Sequence, residues 1–399
     1  MFDRGRLTRI ASWMQGYIDT RRFAGASVLI THKGQEVYYH DCGLRDLKAQ
    51  TAWSRDTVAR IYSMTKPVTS LALMQLVERG LFNLDTPVSE FIPEFAQMQA
   101  LVPGAETLEQ TAPCATPTLH QLLTHTSGLS YAFNPGPLGR AMMERKVEFR
   151  ANQGSLAEMC RQTATLPLAF APGRRWEYSV GIDIIGRVVE VATGKTLGEY
   201  LAEAVFEPLG MGETGFAVPP GGRERFAACY TPLPKGGFTT GRVAHGDDPL
   251  RLIDAPQTSP FLDASLHSGG GGLVGTIDDY LKFTEALRTG GGGIVGPKTL
   301  EFMMRNHLRG DIADMGPSSF AEQPMDGMGF GIGGAVVLDP GRARCPGHVG
   351  DFSWGGMAST FFWIDPVADL SVLFFTQLIP SSAYPARSEL KALVHGAMT

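Results

Sequence analysis

The sequence predicts an α/β composite, in which an antiparallel sheet flanked by helices carries an inserted all-helical region. Three observations carry this prediction. Two strand-like runs flank a turn signal near the N-terminus, further strand-like runs recur near the C-terminus, and the stretch between has helical periodicity broken by Pro and Gly. Residues 1–56 and 269–399 are therefore read as one discontinuous sheet domain, and residues 57–268 as a mainly helical domain with long loops.

Leu7, Ile10, Ala11, Met14 and Ile18 share one helical face, and the helix is expected to end near Arg21-Arg22. Ser27–Thr31 and Gln35–Tyr39 flank His32-Lys33-Gly34 as the arms of a hairpin. Leu73, Leu76 and Val77 follow helical spacing, Pro67 fits only a first turn and Gly80 is a stop, so a helix should begin near Ser63. Thr118 caps Leu119–Leu123, and helices follow around Leu156–Thr163, Ile182–Ala192 and Leu197–Phe206. Residues 217–268, rich in Pro, Gly and polar side chains, read as long loops and short strands over a site. Thr276 caps a helix through Leu287; Phe330–Leu338, Ala358–Ile364 and Leu370–Gln377 read as strands, and a last helix spans about Arg387 to His395.

A chain of 399 residues exceeds the usual single domain and has ample material for a core. Hydrophobic content of 43%, charged content of 19% and a net charge of -5 describe a globular protein without the basic footprint of a nucleic-acid or anionic-membrane binder. No apolar run approaches membrane-spanning length. Met1–Leu7 has no signal-peptide apolar core, and five scattered cysteines lack metal or disulfide spacing, so a cytoplasmic protein is expected. Gly270-x-Gly272-x-x-Gly275 does not follow a clear strand, and Gly329-x-Gly331-x-x-Gly334 leads into a strand where a dinucleotide site needs a helix. Gly194-Lys195-Thr196 resembles a P-loop end, but Val189 stands where its first glycine must be. Nucleotide binding is rejected, and Gly269–Gly272 is read as backbone making a close approach.

Ser63 and Lys66 fall on one helical face in the S-x-x-K arrangement. A serine hydroxyl is a weak nucleophile at neutral pH and needs a base within hydrogen-bond reach, which an amine one turn away supplies. The bland account of Ser63 is a helix N-cap. A second match, Ser388-Glu389-Leu390-Lys391, lies in the terminal helix and is assigned a structural role. Tyr178 precedes the helix near Ile182, where its phenol could relay protons; alone it reads equally as a half-buried tyrosine.

Five pieces occur in order: Ser63-Met64-Thr65-Lys66, Leu122-Leu123-Thr124-His125-Thr126-Ser127-Gly128-Leu129, Tyr178-Ser179-Val180, Ser268-Gly269-Gly270-Gly271-Gly272-Leu273 and Trp354-Gly355-Gly356. With them the sequence resembles the serine β-lactamase and penicillin-binding-protein-like superfamily, and within it the family VIII carboxylesterases, which share the class C β-lactamase fold. The resemblance implies a β-lactamase/transpeptidase-like architecture, Ser63 as the acylated nucleophile, and Lys66 and Tyr178 as paired base and proton relay. It implies oxyanion and substrate contacts from a third motif, whose register is either His348-Val349-Gly350 or Trp354-Gly355-Gly356. His125 is read as a packing residue, and Asp183, which follows Tyr178 closely, either as a hydrogen-bonding group near the site or, on the blander account that is preferred, as a helix-terminal charge.

The departures concern specificity. Class C β-lactamases carry Tyr-x-Asn where this chain has Val180, and no lysine here is followed by Thr-Gly. A Gly-x-Ser-x-Gly elbow is absent, which excludes an α/β-hydrolase. The expected function is a serine carboxylesterase for small or short-chain acyl esters, working through an acyl-enzyme without metal or organic cofactor. Its partner is a small-molecule ester, with no nucleic acid and no membrane. The alternatives are acyl transfer to an alcohol, a β-lactamase or D-Ala-D-Ala peptidase, and a penicillin-binding-like sensor without turnover.

Overall fold

A computed structural model describes residues 1–233, 250–321 and 323–399. Helix α1 (Arg4–Asp19) is capped by the Asp3 carboxylate, which accepts from the Arg6 amide, and buries Leu7, Ile10, Met14 and Tyr17. Strands β1 (Gly25–His32) and β2 (Gln35–Asp46) form the expected hairpin, turning at Lys33 and Gly34, both at positive φ as a two-residue hairpin loop requires. A short β3 (Thr51–Ala52) follows.

Helix α2 (Thr65–Glu78) is buried on every side from Thr65 to Leu76, the mark of a helix at the centre of a large domain. It ends just before Gly80, which takes the left-handed conformation at φ 74° that closes a helix. Around it lie α3 (Leu119–Leu123), with a capping box on Thr118, α4 (Gly181–Thr193) and α5 (Ile277–Arg288), capped by Thr276. The predicted Leu197–Phe206 segment is a short α-helix to Leu201 that widens into a π-turn over Ala202–Phe206.

From residue 328 onward the chain returns to strand. One continuous strand was expected over Phe330–Leu338. Instead there are two, β4 (Met328–Phe330) and β5 (Ala335–Val337), paired antiparallel because Gly331, Gly333 and Gly334 make the turn between them. They are followed by β6 (Phe352–Gly355), β7 (Phe361–Asp365), β8 (Leu370–Thr376) and helix α6 (Ala386–Gly396). The eight strands form one antiparallel sheet in the order β4-β5-β6-β7-β8-β1-β2-β3, so the two ends of the chain meet at the β8–β1 pair.

Alternation along the strands sorts the core into two layers. Val28, Ile30, Phe361, Trp363, Val372 and Phe374 face α1 and α6, whereas Leu29, Phe362, Ile364, Leu373 and Phe375 join the core of the helical region. Of the loop-rich stretch expected over residues 217–268, two short strands, Cys229–Thr231 and Arg251–Asp254, pair antiparallel; residues 234–249 lie outside the described residues. No helix among the described residues is long and apolar enough to cross a membrane.

Phe374 is fully buried and stacks on Phe361 at 4.9 Å between centroids, on the face of the sheet away from α2. Phe374→Ala is expected to cost about 3–5 kcal/mol of stability, read as a lowered denaturant midpoint. A loss below about 1 kcal/mol would mean the outer layer is not a packed core.

Candidate active site

Ser63 stands in a single 3₁₀ turn, Tyr62–Met64, directly ahead of α2. The helix N-cap is Met64 and no side chain caps it, so the hydroxyl of Ser63 is not engaged in capping. Tyr62 takes φ 42°, a left-handed conformation rare for an aromatic residue and typical of backbone held under tertiary constraint. Part of that constraint is visible: Ile61 N–H donates to Leu273 O, Leu273 N–H donates to Thr65 Oγ1, and Tyr280 OH donates to Met64 O.

One turn further, Lys66 is fully buried, and its Nζ lies 3.3 Å from Ser63 Oγ, 3.0 Å from Tyr131 OH and 2.6 Å from Gly270 O. Three oxygens match the three donors of an ammonium, the condition under which such a group tolerates burial. The ring of Tyr178 lies beneath the same nitrogen, 4.6 Å from centroid to Nζ, and its centroid is 5.1 Å from that of Tyr131. The structure thus brings Ser63, Lys66 and Tyr178 together and adds a phenol that sequence reasoning missed. Tyr131 follows the Leu122–Leu129 segment by two residues on an irregular loop, and only its place beside a named motif could have marked it. Burial, with the neighbouring Tyr178 phenol and Asp183 carboxylate, holds its hydroxyl well above the usual phenol range, so it stays protonated at neutral pH.

The supports of Tyr178 are polar. Asn134 Nδ2 donates to Tyr178 O at 3.0 Å, and Ser130 Oγ donates to Glu177 Oε1 at 2.5 Å. His125 is buried among Trp176, Tyr178 and Phe330, and its Nδ1 accepts the Ser179 amide at 3.2 Å. Burial and then the charge of Lys66 push its imidazole well below the ordinary histidine range, so it is a neutral packing residue. Asp183, read from the sequence as a helix-terminal charge, is instead only 1% exposed; its Oδ1 accepts from Ser268 Oγ at 2.5 Å and from the Gly270 amide at 3.0 Å.

Trp354, Gly355 and Gly356, at the end of β6 beyond its pairing with β5, line the cavity that Ser63 opens into. Trp354 packs against Tyr178, Phe320 and Phe330. A Cβ on residue 356 would come within 2.3 Å of Ile61 O, so only glycine lets this edge reach the turn bearing Ser63. The Gly356 amide donates to Thr360 O at 2.7 Å, which removes it as an oxyanion donor. His348 is placed elsewhere: its Nδ1 bonds Asp365 at 2.7 Å, that bond raises its pKa, and it does not line the cavity. Of the two registers considered, then, Trp354-Gly355-Gly356 borders Ser63 and His348-Val349-Gly350 does not. The fold does gather a trio that sequence spacing did not show, since His348, Asp351 and Asp365 offer ligand atoms within 4.8 Å of one another; the Lys391 ammonium already sits on Asp351 at 3.0 Å.

The cavity has a volume of about 1640 Å³, and its walls near Ser63 are aromatic, with Tyr131, Phe133, Tyr178, Phe320 and Trp354. The Beta-lactamase family model matches residues 10–395. The chain belongs to the Beta-lactamase family. Among its relatives in this family, Esterase EstB of Burkholderia gladioli is 36% identical over 376 residues, covering 89% of this chain and 86% of that protein. Lovastatin esterase of Penicillium rubens is 29% identical over 382 residues, 88% of each chain. Among solved structures, EstCE1, described as a hydrolase with promiscuous acyltransferase activity, superposes with a TM-score of 0.80 at 28% identity, covering 98% of this chain and 99% of that one. The antiparallel sheet flanked by helices is the β-lactamase/transpeptidase-like fold of this family.

Gly356→Ala should displace the β6 edge from the Ser63 turn, lowering kcat/KM by about 10²-fold, as misplacement of a reacting group by about an ångström does. Circular dichroism and steady-state kinetics check it; unchanged kinetics in a folded variant would show that this edge plays no part in the reaction.

Proposed function

We propose that this chain is a serine carboxylesterase that hydrolyses small acyl esters through an acyl-enzyme on Ser63. At the level of reaction class it is a serine ester hydrolase of the β-lactamase fold. The observation that carries the finer reading is Lys66 Nζ set between Ser63 Oγ and Tyr131 OH. With its amine neutral, Lys66 accepts the proton of Ser63 as Oγ attacks the ester carbonyl. Negative charge then develops on the carbonyl oxygen, for which the reading assigns the amides of Ser63 and of Met357, the residue after Gly356. The adjoining phenols of Tyr131 and Tyr178 carry a proton from the Lys66 ammonium to the departing alkoxide. Water repeats the sequence on the acyl-enzyme, and the ester leaves as acid and alcohol. Every proton in this scheme passes between substrate or water and side chains of the chain itself, so no cofactor is assigned to it.

Two features set the preference for neutral esters. Val180, where a class C β-lactamase has its amide, is buried at 1% exposure and offers nothing to a β-lactam side chain. Because Trp354-Gly355-Gly356 lines the cavity with Ser63, the reading sets Trp354 in the register of the lysine of Lys-Thr-Gly, so a carboxylate there meets an indole where an ammonium would stand. Charge-assisted hydrogen bonds contribute roughly 1.5–3 kcal/mol each, so each missing contact is worth about one to two powers of ten. Acyl transfer is the second reading, favoured by the cavity: about 1640 Å³ exceeds the roughly 300–1,000 Å³ of a typical ligand pocket and leaves room for an acceptor alcohol beside the acyl group.

Ser63→Ala is expected to abolish hydrolysis of p-nitrophenyl butyrate while keeping the fold, because the hydroxyl caps nothing. Tyr131→Phe should lower kcat by about 10²-fold or more, the scale of losing a general acid–base group. Specificity constants for p-nitrophenyl butyrate should exceed those for a penicillin by several orders of magnitude. Comparable constants for the two substrates would falsify the esterase reading and promote the β-lactamase one.

A further inference from the structure

The proton path above makes no use of Asp183, yet the fold buries its carboxylate in the first turn of α4, beside that path. A helix-terminal charge is ordinarily solvated and acts only weakly on the helix, which does not explain a buried one. Its partners are informative. Oδ1 takes the Ser268 hydroxyl at 2.5 Å and the Gly270 amide at 3.0 Å, and the carbonyl of that same Gly270 receives Lys66 Nζ at 2.6 Å, shorter than the bonds from Nζ to Ser63 or Tyr131. Residue 270 has to be glycine for this, because a Cβ there would stand 2.3 Å from Oδ2. From the other side, Thr69 Oγ1 of α2 donates to Gly269 O at 2.9 Å, so the Ser268–Gly270 segment is tied to both helices.

We infer that Asp183 is a positioning residue: through Ser268 and Gly270 it fixes the carbonyl that aims the Lys66 amine at Ser63, and its charge balances that of Lys66. The inference rests on the reading of Lys66 as the base for Ser63. The groups facing this pair are Tyr131 and Tyr178 beside Lys66, His125 behind them, and Cys160 beside Asp183. Burial holds His125 neutral and keeps the Tyr131 phenol and the Cys160 thiol protonated. Burial also raises the carboxyl of Asp183, and the charge of Lys66 opposes that rise. The Ser268 hydroxyl and the Gly270 amide both donate to Oδ1, the partners a carboxylate takes, and on that geometry Asp183 is read as the negative charge that answers the buried ammonium.

The test compares Asp183→Asn, Asp183→Ala and Ser268→Ala with the wild type in the full chain. kcat, KM and the pH profile of kcat/KM are measured on p-nitrophenyl butyrate, and circular dichroism gives the folded fraction. Asparagine keeps an oxygen for Ser268 and Gly270 but removes the charge. It should retain activity within about tenfold, while the acid limb of its kcat/KM profile moves to lower pH, because a negative charge facing a cation favours its protonated form and that charge is gone. Alanine also removes the tether and should lower kcat by about 10²-fold with KM within about threefold; Ser268→Ala should fall between the two. If the Asn profile superimposes on the wild type, or the Ala loss disappears after correction for folded fraction or lies only in KM, the inference is overturned. Should Asp183→Ala fail to fold, the acid limb of Asp183→Asn decides alone. Wild-type turnover and phosphonylation of wild-type Ser63 test the Ser63–Lys66 reading separately.

Discussion

A buried ammonium must meet an acceptor on every N–H, and that requirement organises the centre of this protein. Lys66 meets it with Ser63, Tyr131 and Gly270, which come from three distant parts of the chain. Each acceptor is in turn held by its own structure. A 3₁₀ turn with a left-handed Tyr62 presents Ser63, the loop after α3 carries Tyr131 onto Tyr178, and Asp183 and Thr69 fasten the glycine segment. The aromatic cluster of His125, Trp176, Tyr178, Phe330 and Trp354 excludes water from one side, which strengthens every polar contact it encloses.

Much of the fold was legible in the sequence because it is specified locally. The Lys33-Gly34 turn, the Thr118 and Thr276 caps and the Gly80 stop are chemistry of neighbouring residues, and the helices and strands next to them stand where that chemistry puts them. Strand β6 was not read, since Phe352–Gly355 is too short for alternation to show and is held by its neighbours β5 and β7. The division of Phe330–Leu338 into two strands was missed for a related reason: apolar residues on both sides of Gly331–Gly334 imitate one run, and only the pairing of Gly329 with Val336 reveals the reversal.

The site was legible through its motifs and less so through its contacts. Ser63, Lys66, Tyr178 and the Trp354 edge lie in segments with recognisable patterns, whereas Tyr131 and Asp183 act through oxygens whose partners lie about sixty to ninety positions away in the chain. His348 illustrates the converse. A promising triplet, His348-Val349-Gly350, belongs to a polar cluster with Asp351, Asp365 and Lys391, because β6 and β7 run antiparallel and bring that cluster to the far end of the hairpin from Gly356. Spacing along a chain cannot say at which end of a strand a motif falls; the sheet register does.

The central claim is that one covalent intermediate forms, on Ser63, with Lys66 as the group that activates it. Rapid-quench mass spectrometry during turnover of a p-nitrophenyl ester tests it most directly, using the wild type and a Lys66→Met variant side by side. The account predicts a single acyl group on Ser63 in the wild type and none in the variant within the same interval. An adduct on another residue, full turnover without any adduct, or undiminished acylation of Ser63 without the Lys66 amine would contradict it.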